Sequence, residues 1–142
     1  MTVRPLPHDF TLPEITPFNQ AWFTSGALAV QRCTSCGHLQ HPPEEICRAC
    51  SAMGFDVQVL APHATVHSYT VVHYAATPAL ATSVPYVIVL VSIDDAQQLR
   101  VVGNLVDVGP GEVAIGLEVT AFWTDHDAGD GSVIRLPNWR AR

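Results

Sequence analysis

Two Cys-x-x-Cys pairs, Cys33-Thr-Ser-Cys36 and Cys47-Arg-Ala-Cys50, stand ten residues apart and account for every cysteine in the chain. Two residues between cysteines make a tight turn whose backbone N–H groups point at the sulfurs, and two such turns converge four thiolates on one tetrahedral ion. Gly37 follows the first pair, where a left-handed backbone suits glycine, and Pro42-Pro43 stiffens the approach to the second. The pattern predicts a four-cysteine metal ribbon, with disulfides or a redox pair as the competing readings of the same residues. Zinc is the expected ion; iron is the nearest competitor, because it takes the same sulfur set. Four thiolates leave no open coordination position, so the ion is expected to be structural and its binding energy to be folding energy. His38 and His41 read as ordinary exposed ribbon residues rather than substitute ligands.

The first residues, Met1-Thr-Val-Arg-Pro-Leu-Pro-His-Asp, contain no apolar run of the kind a secretory signal needs, which favours a cytoplasmic protein with reduced thiols. The longest apolar run, Tyr86 to Val91, has the length of a strand and falls far short of a membrane helix. Hydrophobic residues make up 48% of the 142 and charged residues 14%, which excludes a disordered chain and leaves much surface for a permanent partner. The net charge is −6, and all seven basic residues are arginine. Without lysine there is no Schiff-base, P-loop or general-base lysine chemistry, and the acidic balance argues against binding duplex DNA.

Residues 1–26 read as a proline-containing arm followed by a short helix: Thr16 is the expected N-cap, Pro17 the first helical residue and Gly26 the stop. Residues 27–60 read as the ribbon. Residues 61–142 then read as all β, with strands expected at 63–74, 85–93, 98–106, 117–123 and 133–136 and a C-terminal tail after Leu136. Five or six strands in so short a stretch suit a closed barrel, which removes exposed edges. The expected fold is mainly β: an N-terminal helix, a rubredoxin-like zinc ribbon and a five- to six-stranded OB-fold barrel, with a β-sandwich as the alternative.

No catalytic set stands out, so none is assigned. Asp125, Asp127 and Asp130 lack the spacing of a calcium loop and read as a solvated hairpin tip. His63, His67 and His73 lie along one expected strand, on one face if no bulge intervenes, and read as packing residues before a ligand site. Phe18, Trp22 and Phe23 on the helix, together with Trp139 in the tail, offer an apolar surface for a partner or for the chain's own barrel.

The helix at Phe18–Phe23, the two cysteine knuckles with Pro42-Pro43, the strand His67–His73, the run Pro85–Ile93, Val102-Gly-Asn-Leu105, Ile115–Val119 and Leu136-Pro-Asn-Trp139 occur in an order that resembles a known family. These are the zinc-ribbon plus OB-fold proteins, formerly grouped as a domain of unknown function and associated with acyl-CoA metabolism. The resemblance implies a non-catalytic accessory subunit of a thiolase-like enzyme (thiolase, acyltransferase or retro-aldolase), in a hetero-oligomer that handles steroid or aromatic acyl-CoA. A partner of a hot-dog-fold enoyl-CoA hydratase is the alternative. CoA phosphates would need cations, and Arg32 and Arg48 beside the knuckles are the candidates, with Arg135, Arg140 and Arg142 as a second group. An OB barrel that binds single-stranded nucleic acid, and a stand-alone enzyme acting on thioesters with a barrel histidine such as His73 as base, are the other function classes; the first conflicts with the charge.

Overall fold

The computed structural model describes residues 5–142; the part of the expected arm at 1–4 lies outside them. Among the described residues the chain forms one short α-helix, α1 (Gln20–Thr24), one 3-10 turn (Pro78–Leu80) and eight strands: β1 (Leu28–Cys33), β2 (Leu39–Gln40), β3 (Phe55–Leu60), β4 (His63–Val72), β5 (Tyr86–Ile93), β6 (Ala96–Leu105), β7 (Glu118–Asp127) and β8 (Val133–Ala141).

Strands β2, β1 and β3 make a three-stranded antiparallel sheet with β1 in the middle. The remaining five close into a barrel in the order β4-β5-β6-β8-β7. β5 alternates as a barrel strand must: Val87, Val89, Val91 and Ile93 point inward and are buried, while Tyr86, Ile88 and Leu90 are half-buried on the outside. The inner residues of β4, β6 and β7, among them Val66, Val101 and Val119, complete the core.

Three expectations need correction. The α-helix is shorter than the expected residues 17–25. Its N-cap is Asn19 rather than Thr16; the two residues exchange hydrogen bonds ahead of the helix, with the Asn19 amide donating to Thr16 Oγ1 at 3.3 Å and the Thr16 amide to Asn19 Oδ1 at 2.7 Å. Regular helix then runs for only five residues before Gly26 turns the chain at φ +66°. The tail after Leu136 is not a tail, because β8 continues through it: Pro137 pairs with Trp123 and Trp139 with Ala121. Proline is tolerated there because β8 meets β6 only at Leu105–Trp139, so no second ladder needs its missing N–H. Finally, the β4–β5 register shifts between Val66 and Ser68, so a bulge at His67 breaks the parity that would have put His63, His67 and His73 on one face. His73 lies beyond the end of β4 and is exposed.

Candidate metal centre and the surfaces around it

β1 delivers Cys33 at its C-terminal end, and the chain turns immediately. The Gly37 amide donates to Cys33 O at 2.9 Å, and the Cys33 amide to His38 O at 2.9 Å. The second knuckle repeats this pattern. The Ser51 amide donates to Cys47 O, and the Cys47 amide to Ala52 O, both at 2.9 Å. The residue after each pair is left-handed: Gly37 at φ +76° and, without glycine's freedom, Ser51 at φ +66°. The repetition brings Cys33 Sγ to 3.6 Å from Cys50 Sγ, and Cys36 Sγ to 3.7 Å from Cys47 Sγ. All four sulfurs lie within 4.8 Å of one another. A tetrahedral zinc–thiolate site, with bonds of about 2.3 Å, needs sulfurs about 3.8 Å apart. The Cys33–Cys50 and Cys36–Cys47 pairs already stand at that spacing, so the cluster fits such an ion with shifts of at most about 1 Å.

Its electrostatics point the same way. The Cys36 amide, helped by that of Ser35 against the cost of burial, holds the Cys33 thiol down at about 6. At Cys50 the Ala52 amide pulls downward, but the neighbouring Cys33 and Cys36 sulfurs and burial outweigh it and push the thiol up to about 12. Four sulfurs this close resist sharing negative charge until a cation joins them.

The support for the second knuckle was not foreseen. Gln31 and Gln40, both buried in the ribbon, form a polar clasp. Gln40 Nε2 donates to Gln31 Oε1 at 2.8 Å and to Ile46 O at 3.2 Å; its own Oε1 accepts from the Arg48 amide at 3.0 Å. Gln31 Nε2 donates to Glu44 O at 2.6 Å, and its Oε1 accepts from the Glu44 amide at 3.0 Å. Residues 44–48, which have no regular structure of their own, are thereby held against β1 and β2 with Cys47 in place. Two glutamines nine residues apart carry no spacing signal, so only the fold reveals them.

The aromatic surface is divided. Trp22 is 5% exposed and Trp139 is 0% exposed, so both are core residues, and Trp139 fills the barrel against Gly103. Phe18 and Phe23 are half-buried and reach the surface. Arg32 forms a two-point ion pair with Asp56 (2.8 and 2.7 Å), and Arg48 does the same with Glu44 (3.1 and 2.7 Å). A phosphate would have to displace those carboxylates. Asp125, read as loop, belongs to β7, where it pairs across the hairpin with Arg135 at 3.3 Å. Arg135 also donates to Thr24 O at 2.6 Å and so ties the hairpin to α1. No helix among the described residues is long and apolar enough to cross a membrane.

A closed five-stranded barrel beside a tetrathiolate ribbon defines a zinc-ribbon protein with an OB-type domain. Residues 24–55 match the family model for the rubredoxin-like zinc ribbon domain of ChsH2, and residues 57–124 match the one for its C-terminal OB-fold domain. The chain belongs to this ChsH2 family of DUF35 proteins. A chain of the solved "Ltp2-ChsH2(DUF35) aldolase" is similar at 33% identity and a TM-score of 0.76, covering 92% of this chain and 98% of that one. A "DUF35 domain-containing scaffold protein" of Methanocaldococcus jannaschii is 34% identical over 105 residues, 72% of each chain. A "Probable enoyl-CoA hydratase alpha subunit" of Thermomonospora curvata is 35% identical over 118 residues. That match takes in 81% of this chain but only 36% of the hydratase subunit, so this chain spans about a third of that relative's length.

Proposed function

We propose that this chain is a non-catalytic accessory subunit of an acyl-CoA-processing complex, with a thiolase-like enzyme as its partner. The observation that carries the reading is the match to the aldolase chain. A protein of the same extent and fold, 33% identical, is one component of an assembly whose name joins two proteins. In this reading Cys33, Cys36, Cys47 and Cys50 hold one zinc ion, which staples the ribbon (residues 27–60) and leaves reactivity to the partner. Phe18 and Phe23 are the proposed contacts of the helix with that partner. Arg32 and Arg48 are the proposed phosphate contacts, exchanging Asp56 and Glu44 for CoA.

A hydratase partner is the second reading, favoured by the hydratase alpha subunit that contains a region 35% identical to this chain. One experiment addresses both. The chain is co-expressed in turn with a thiolase-like enzyme and with an enoyl-CoA hydratase from the same genome, each pair is sized by gel filtration, and acyl-CoA turnover is measured with and without this subunit. A stable complex whose activity falls when the subunit is removed supports the proposal; the reaction catalysed decides between carbon–carbon bond cleavage and hydration. Full turnover by the enzyme alone, with no complex formed, would refute it.

A further inference from the structure

Strand β3 has one neighbour, β1, and so forms an edge of the ribbon sheet. The Thr34 amide donates to Gly54 O at 3.1 Å, just beyond the last β1–β3 partners, Cys33 and Phe55. Hydrogen-bonded and non-bonded pairs alternate along an antiparallel ladder, so Asp56, Gln58 and Leu60 turn their backbone groups toward β1. The N–H and C=O groups of Phe55, Val57 and Val59 point the other way, and among the described residues no strand lies beyond them.

The usual protections of an exposed edge are missing. β3 contains no proline and its pairing shows no bulge. Its one charge, Asp56, is engaged by Arg32 in the two-point ion pair. Val57 and Val59 lie on one side of the strand and are exposed, Val59 at 65%. A row of open backbone groups flanked by apolar side chains is completed by a further strand.

The sequence of β3 fits itself. With two copies antiparallel about a two-fold axis at Val57, the hydrogen-bonded pairs are Phe55 with the second copy's Val59, Val57 with Val57, and Val59 with Phe55. Aromatic and β-branched residues are favourable cross-strand neighbours. On the other side Asp56 faces the second copy's Gln58, whose amide can donate to lone pairs of the carboxylate that Arg32 leaves open. A register centred on Asp56 would set two carboxylates face to face, and one centred on Gln58 would put Phe55 opposite Ala61, outside the strand. A slip of one residue would set outward backbone groups against inward ones.

We propose that β3 is a self-association edge, through which two copies of this chain join their ribbon sheets antiparallel at residues 55–59. The proposal does not rest on the accessory-subunit reading. A six-residue edge falls short of the roughly 1,200 Å² of a standing interface, so the dimer is reversible and fills as concentration rises. Each copy carries a net charge of −6, and this repulsion opposes the contact until salt screens it.

The test is sedimentation velocity of the full-length, zinc-loaded protein over a hundred-fold range of concentration, with amide hydrogen exchange followed over the same range. The dimer fraction should rise with concentration and rise further in high salt. Protection should grow with it at the amides of Phe55, Val57 and Val59, while those of Asp56, Gln58 and Leu60 are protected at every concentration. Val57→Lys sets two like charges together on the axis and should weaken the dimer at least ten-fold, although it lowers the negative charge of each copy. Val59→Lys, at the more exposed position, is the second variant should the first disturb the ribbon; retained zinc shows that the ribbon is intact. A wild-type chain that stays monomeric throughout, a dimer that neither variant weakens, or protection that grows only at other edges would each overturn the proposal. Protection of the three amides only when an enzyme partner is added would also overturn it, because the edge would then belong to a strand of that partner.

Discussion

Replacing Gly103 by alanine tests how the barrel is filled. A methyl group at Gly103 would lie 2.8 Å from both Cδ1 and Nε1 of Trp139. The indole has nowhere to go, because Trp139 is 0% exposed and β8 is paired with β7 along its whole length. Non-bonded carbon atoms settle roughly 3.5–4.0 Å apart, so a shift of about 1 Å must be absorbed by a close-packed interior. Overpacking of this kind costs about 1–3 kcal/mol. An opposing effect exists: Gly103 is not among the left-handed glycines, so alanine suits its backbone and would otherwise stabilise by about 0.4–1 kcal/mol through the unfolded chain. The expected net loss is about 1–2 kcal/mol, a fall in Tm of roughly 2–8 °C for a chain of this size. Urea unfolding followed by tryptophan fluorescence in zinc-containing buffer measures it. In a Trp139→Leu background the obstacle is gone, and Gly103→Ala should become neutral or stabilising. An equal loss in both backgrounds would refute the reasoning, since the indole would then not be its source.

Cys47→Ser should abolish stoichiometric zinc binding and unfold the ribbon, seen as lost metal by elemental analysis and lost amide dispersion over residues 28–60. Gly37→Ala meets no atom within 4 Å, so its cost is the left-handed backbone alone, about 1–2 kcal/mol in a melting curve; no change would show that the knuckle tolerates another geometry. Burial, reinforced by the charge of Arg48, lowers His41 from 6.5 to about 4. The unfolded chain therefore takes up a proton below pH 6.5 that the folded chain refuses, so this contribution is whole above pH 6.5 and is lost as the pH falls toward 4, by roughly 3 kcal/mol. Stability–pH curves of wild type and His41→Asn should diverge in that window and run parallel above it; parallel curves throughout would rule the histidine out.

The cysteine knuckles and the barrel strands were legible because each is a local pattern, a fixed spacing in one case and β-branched runs between turns in the other. The end of β7 and the second half of β8 were not. Asp125 and Asp127 look like loop residues, and Pro137 looks like a strand breaker. Both impressions fail for tertiary reasons, a cross-strand arginine and an incomplete second ladder. The bulge at His67 likewise leaves no mark in the sequence, yet it decides which way every later residue of β4 faces. The free edge of β3 was invisible for a different reason. Whether a strand has one neighbour or two is a property of the sheet, and nothing in the residue types of Phe55–Leu60 announces it.

Strand β8 is the last of the barrel's five to be synthesised, yet it occupies a place between β6 and β7. On the ribosome, everything needed for the ribbon has emerged once residue 60 is clear, because its sheet uses only near neighbours in the chain. The barrel must wait with two open edges until its final strand arrives. Chaperone contacts during translation should therefore concentrate on the interval between β7 and β8, and stalling the ribosome there would yield a chain with a formed ribbon and an adhesive, unclosed sheet.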